Sequence, residues 1–315
     1  GYAASNSELV TAEDVQWGYL NPARGDKGPR AADLWGDRTR DTASGILLRF
    51  PKGFSSPPHI HNISYRGVVI SGELHNDDPQ AEPMWLPAGS FWTQPAGEAH
   101  ITAANNHSTV AYIEIDSGPY LVQPTDKAFD KGERPLNVDQ SNVVWLSAAD
   151  AVRVAGTDVR MAYLWGDPAA GKLHGSMLKL PADFSGKIRT DATTFKAIVI
   201  EGPVSYQPSR REAISALPET LSTTYLYIKI ERQLCTFEAA TATRYYLIKG
   251  CQPDSGRCRS GHFSRHTSES TNKRATPTTS KQALAISLVH WHGLDNEIPR
   301  QKILTVLSRA GAPHI

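Results

Sequence analysis

The chain has 315 residues, 40% of them hydrophobic and 21% charged, with a formal net charge of +1. That length suits two domains of ordinary size better than one, and near-neutral charge argues against a nucleic-acid binder, which concentrates Lys and Arg on one surface. The longest apolar runs, such as Ala197–Ile200, fall far short of the roughly 20 residues that cross a bilayer, so no membrane span is expected.

Gly1–Ser7 has neither a basic start nor an apolar stretch, and no initiator Met. It reads either as the end left after signal-peptide removal, which implies a periplasmic or secreted protein, or as a chain begun part-way. Through the first half, Gly and Pro recur every eight to twelve residues, separating short runs such as Gly45–Phe50, Gly67–Ile70 and Thr109–Ile115. These runs are rich in β-branched and aromatic residues and keep no helical period. Closely spaced short strands with turn signals predict an all-β sandwich or barrel.

Within this stretch, Pro57-Pro58-His59-Ile60-His61 places two histidines two residues apart. Side chains alternate across a strand, so His59 and His61 share a face, about 7 Å apart at Cα. Two neutral imidazoles so placed can close on one metal, and a third ligand must come from another strand. Gly89-Ser-Phe-Trp-Thr-Gln-Pro-Ala-Gly-Glu-Ala-His100 supplies it, its Pro-Ala-Gly turn delivering His100 to a strand start.

Further along, the polar stretch 123–142 reads as a join, after which the chain repeats itself. At an offset of 130 residues, Leu34–Asp37 returns as Leu164–Asp167, Gly45 as Gly175, Leu48 as Leu178, Phe54-Ser55 as Phe184-Ser185, and Val69-Ile70 as Val199-Ile200. An offset held without a gap over about forty residues predicts a duplicated barrel. The second copy lacks the histidines, with Arg189, Asp191 and Phe195 at the positions of His59, His61 and Tyr65, and the repeat fades after about Pro208. The expected division is therefore a metal-binding barrel with its N-terminal arm (1–122), a linker (123–142), a degenerate barrel (143–253) and a low-complexity tail (254–315). The apolar patches Ala283–Val289 and Ile303–Leu307 are expected to form short helices.

Cys235, Cys251 and Cys258, odd in number and late in the chain, argue against a disulfide framework. Cys251, Cys258, His262 and His266 are ligand types suited to zinc, but their spacing and Ser/Thr-rich setting speak against a site; His290-Trp-His292 has no third partner.

The His-x-His pair with a glycine eleven residues after its second member (His61 to Gly72), and the Gly-x5-Pro-x-Gly-x2-His run from Gly89 to His100, resemble the two motifs of the cupin superfamily. The resemblance covers about residues 33–120. It implies a double-stranded β-helix (jelly-roll) barrel with one divalent transition metal (zinc, iron, manganese or nickel) inside its mouth. As a whole, the chain resembles a bacterial bicupin family of unknown function related to the cupin domain of zinc-dependent anti-sigma factors. Cupin barrels often pair through edge strands, so the resemblance also implies a homodimer.

Where cupins usually place a glutamate ligand, this chain has Tyr65 followed by Arg66. Three neutral imidazoles leave the metal's full charge, which favours an anionic or enolate-type substrate. Gln94 is a candidate weak oxygen ligand, Tyr65 a candidate hydrogen-bond donor at the metal, and Glu98 a candidate acid or base at the mouth. The expected function is a metal-dependent oxygenase, isomerase or hydrolase of a small oxygen-rich molecule. The alternative is a non-catalytic binding or sensing module; a vestigial structural role is a third reading.

Overall fold

The computed structural model describes residues 7–105, 107–147, 159–167, 173–180 and 194–201, with the backbones of short strands at 189–190 and between 204 and 306. Among the described residues the regular secondary structure is strand, apart from three short 3-10 turns. The N-terminal half forms an antiparallel sheet in the order Leu136–Val138, Phe91–Gln94, Tyr65–Ser71, Thr109–Ile115, Ser44–Phe50, Arg30–Trp35 and Gly18–Tyr19. A smaller sheet of Ile101–Ala104, Glu73–Asp77 and Leu86–Pro87 packs on one of its faces.

Alternation explains why the central strands read as continuous apolar runs. Ile46, Leu48, Val69, Ala111, Ile113 and Ile115 point into the barrel, where they meet Leu74 and Leu86 of the smaller sheet. Leu47, Val68, Ile70, Val110 and Tyr112 point the other way. With both faces covered, no polar alternation is needed. Each fully buried aliphatic side chain contributes roughly 1.5–3 kcal/mol relative to exposure.

The outer face packs against strands of the second half, which belong to an eight-stranded sheet. This shared core pairs residues at the offset read from the sequence: Ala32 with Ala162, Leu47 with Met177, Val68 with Ile198, and Ile70 with Ile200 are all buried in it. Cations cross it reciprocally. Arg66 lies 3.6 Å over the Trp165 ring, and its counterpart Lys196 lies 2.8 Å over the ring of Trp35. The arms cross as well: Ser7–Val10 pairs with Tyr227–Glu231 in the second sheet, while Leu136–Val138 adds to the first beside Phe91–Gln94.

The stretch 123–142, read from the sequence as a linker, takes part in pairing: Val122–Gln123 pairs with Ile60–His61 and Leu136–Val138 is a sheet strand. One sequence expectation changes. The helices expected near the C-terminal end are replaced by strands at Ala285–Leu288, Lys302–Ile303 and Thr305–Val306. Ala285–Leu288 pairs with His174–Lys179, so its short apolar run answers to a neighbouring strand and not to a helical face. Cys251, Cys258, His262, His266, His290 and His292 lie outside the described residues, as does Asp191.

Candidate metal centre

His59 and His100 sit opposite one another on adjacent segments. Each donates its backbone N–H to the other's carbonyl, at 3.0 Å in both directions. His61, two residues on, shares the face of His59, and its carbonyl accepts a bond from the Gly97 N–H at 2.8 Å. Gly97 has φ of 77°, and a Cβ there would lie 2.4–2.6 Å from atoms of Phe129. Only glycine lets the Pro-Ala-Gly turn come this close and deliver His100.

The ligand-capable nitrogens of His59, His61 and His100 all lie within 4.8 Å of one another, and all three residues are buried. Each ring is oriented by a main-chain carbonyl. Nδ1 of His59 is 2.9 Å from the Pro57 oxygen, Nδ1 of His61 is 3.1 Å from that of Leu121, and Nδ1 of His100 is 3.2 Å from that of Glu98. An Nδ1–H donating to a carbonyl leaves Nε2 with a free lone pair, the tautomer a metal requires. His100 Nε2 is buried without a hydrogen-bond partner. Such an orphan atom carries a desolvation cost unless something fills the space before it. The donor set and the orphan nitrogen both fit a transition-metal cation.

Burial pushes all three imidazoles toward the neutral form, helped by the neighbouring rings at His61 and His100 and by Arg24 at His59: His100 down to about 3, His61 well below the usual histidine range, and His59 below it. All three are therefore neutral, ligand-ready bases at physiological pH.

Tyr65 lies edge-on to His61, with ring centroids 5.1 Å apart, and its hydroxyl donates to Asn76 Oδ1 at 3.0 Å. Burial holds the phenol above its ordinary range. Thr102 Oγ1 also donates to Asn76 Oδ1, at 2.8 Å, and Asn76 Nδ2 donates to Gln94 Oε1 at 2.8 Å. Gln94 Nε2 in turn donates to the Glu98 carbonyl, the same oxygen that orients His100. Gln94 thus stands in a buried chain behind the centre, its amide oxygen engaged by Asn76. The Glu98 carboxyl is raised by partial burial and lies within electrostatic reach of Arg134, Asp130, Asp77 and Asp78. It is not among the side chains that line the cavity at the histidines; the main chain of Glu98 is what reaches the centre.

Sequence reading missed Tyr120. Its ring stacks on His61 with centroids 4.5 Å apart and planes at 25°, and its hydroxyl lies 3.3 Å from His61 Nε2. Asn62 holds this loop in place, donating to the Pro119 carbonyl and accepting from the Leu121 N–H, each at 2.9 Å. The available signal was the Gly118-Pro119 turn, which delivers an aromatic residue directly after a buried strand. A cavity of about 670 Å³ opens over His59 and His61, walled by Leu20, Leu48, Phe50, Phe54, Trp92 and the two tyrosines.

An antiparallel barrel with three histidines converging from a His-x-His segment and a Pro-Ala-Gly-x2-His segment is the arrangement of the cupin fold. Residues 8–238 match the family described as a domain of unknown function, DUF4437, and the chain belongs to that family. No curated protein sequence matches it. Among solved structures, it is similar to a candidate dioxygenase from Nostoc punctiforme, at 13% identity over 78% of this chain and 79% of that one, with a TM-score of 0.54. It also resembles YlbA from E. coli (12% identity, 80% and 93% covered, TM-score 0.47). A third likeness is to salicylate 1,2-dioxygenase from Pseudaminobacter salicylatoxidans (12% identity, 78% and 84% covered, TM-score 0.48). Such low identities speak to fold alone. The expected kinship to anti-sigma factors receives no support from these matches.

Proposed function

We propose that His59, His61 and His100 hold one divalent transition metal, zinc, iron, manganese or nickel, and that the centre serves oxygenase, isomerase or hydrolase chemistry on a small oxygen-rich molecule. The observation that carries this reading is the convergence of three neutral rings, each turned by a carbonyl so that Nε2 faces the same space. When bound, the metal would polarise a substrate oxygen as a Lewis acid. With no carboxylate in the donor set, the rings do nothing to offset its charge. Tyr120, a phenol kept protonated by burial, has its hydroxyl 3.3 Å from His61 Nε2 and would be placed to donate a hydrogen bond to a substrate oxygen held at the metal. Tyr65, Asn76 and Gln94 hold the barrel wall and the Glu98 carbonyl in place. Elemental analysis of protein purified without chelator or affinity nickel tests the centre: about one metal per wild-type chain is expected, and much less in His59→Ala. Equal metal in both would overturn the assignment.

We also infer that the chain is a bicupin whose second barrel lacks the metal centre. Its support is the shared core built from residues 130 positions apart, the reciprocal Arg66–Trp165 and Lys196–Trp35 contacts, and the crossed arms. Limited trypsin cleavage at exposed Lys127 or Lys131 should leave two fragments that co-elute in size-exclusion chromatography. Fragments that separate without denaturant would count against this arrangement.

A further inference from the structure

We infer that the cavity over the histidines is built for an organic anion with an apolar body, its carboxylate taken up by Arg24 and Arg38. The inference rests on the metal reading above and names the class of molecule the same site takes. The side chains lining the cavity include no Asp or Glu, yet they include two arginines. Arg24 projects from the short 3-10 segment Pro22–Lys27, whose first turn is capped by the Asn21 side chain accepting from the Ala23 N–H at 3.0 Å. It takes part in no ion pair among the described residues. Arg38 is partly enclosed, its Nη1 2.6 Å from Asp33 Oδ1, a one-point contact that leaves much of the guanidinium fork open.

Both arginines line the same cavity as His59 and His61. Arg24 is near enough to His59 to disfavour its protonated form, and Arg38 near enough to Tyr120 to favour the phenolate. With Arg24, the Asp33-paired Arg38, two uncharged imidazoles and no acid among the lining side chains, the recess is net positive, and low-dielectric walls focus that field on an incoming anion. The remaining lining decides what sort of anion. Leu20, Leu48, Phe50, Phe54 and Trp92 offer apolar and aromatic surface, poorly suited to a sugar phosphate or a hydrated inorganic ion. Planar guanidinium groups match the geometry of a carboxylate, which they take in a two-point contact. A volume of about 670 Å³ lies within the range of small-molecule pockets. A ring-bearing carboxylate satisfies all three features: cations at the rim, apolar walls, and an electrophilic centre at the base.

The test compares 1-naphthoate with its neutral counterpart 1-naphthamide by isothermal titration of the full chain loaded with redox-inert Zn(II). Wild type should bind the acid about tenfold or more tightly than the amide, the size of effect expected of a charge-assisted hydrogen bond. Arg24→Gln should erase most of that preference while leaving amide affinity and zinc content unchanged. Arg24 is exposed, so its replacement does not threaten the fold; Arg38→Gln, which also breaks the Asp33 pair, serves as the second variant. Equal wild-type affinity for acid and amide would overturn the inference, as would a preference intact in both variants. If wild type takes up no zinc, the metal reading fails separately. The acid-over-amide preference must then persist in the metal-free chain for the arginines to retain their role.

Discussion

Burial of three histidines at one point has a consequence for metal retention that can be worked out in advance. Three solvent-exposed imidazoles with pKa near 6.5 would each be about nine-tenths protonated at pH 5.5. Each ring would then cost about a factor of ten in affinity, so the set would lose about 1,000-fold, or about 4 kcal/mol, between neutral pH and 5.5. Here burial holds His100 near 3 and His61 well below the usual range, so neither takes up a proton over that interval. His59, also lowered but less enclosed, is the one ring able to compete, which limits the expected loss to about tenfold. The assay strips the full chain and titrates it with Zn(II) against a chromophoric chelator at pH 7.5, 6.5 and 5.5, with the chelator's own protonation subtracted. Lowered histidine pKa values also mean that the unfolded chain binds protons before the folded one. Stability of the metal-free protein therefore falls as the pH drops through 6.5, and circular dichroism at each pH must show the chain still folded. A fall in affinity approaching 1,000-fold, with the fold intact, would refute the claim that enclosure keeps these rings neutral.

Two substitutions probe the walls of the same barrel. In Gly67→Ala, the new Cβ would lie 2.5 Å from two ring atoms of Trp92, which is 1% exposed and has nowhere to move; a loss of about 1–3 kcal/mol is expected in chemical denaturation, and an unchanged midpoint would show the wall to be softer than its packing implies. Tyr65→Phe removes one of two donors to Asn76 Oδ1 and leaves Thr102 in place. It should cost about 1 kcal/mol with metal content unchanged, whereas loss of the metal would give the Tyr65 hydroxyl a direct part in the centre.

Much of the barrel was legible in the sequence because its causes are local. Short β-branched and aromatic runs bounded by turn residues, Gly45–Phe50 and Thr109–Ile115, predict strands, and both fall within the observed strands Ser44–Phe50 and Thr109–Ile115. The spacing of His59, His61 and His100 is set by two turns whose Pro and Gly residues are visible as such, and the structure brings the three rings together. Tyr120, Arg24 and Arg38 stand in turns and loops, where no period marks which way a side chain faces, and only the folded chain carries them to the cavity. Gln94 and Glu98 attract attention by side-chain chemistry, yet Gln94 stands in a hydrogen-bonded chain and Glu98 contributes its carbonyl. The crossing arms pair over four and three residues, too few to leave a pattern, and the strand at Ala285–Leu288 depends on a partner more than a hundred residues earlier.

The exchanged arms leave the protein without a clean seam. A fragment cut after the third histidine's strand but before residue 136 would keep the three histidines while surrendering Leu136–Val138, exposing the backbone of Phe91–Gln94 as an open sheet border. Such a border invites an extended segment from another molecule, so truncations meant to isolate the first barrel are prone to swapped oligomers. A piece of this chain that keeps the N-terminal sheet whole has to run past Val138.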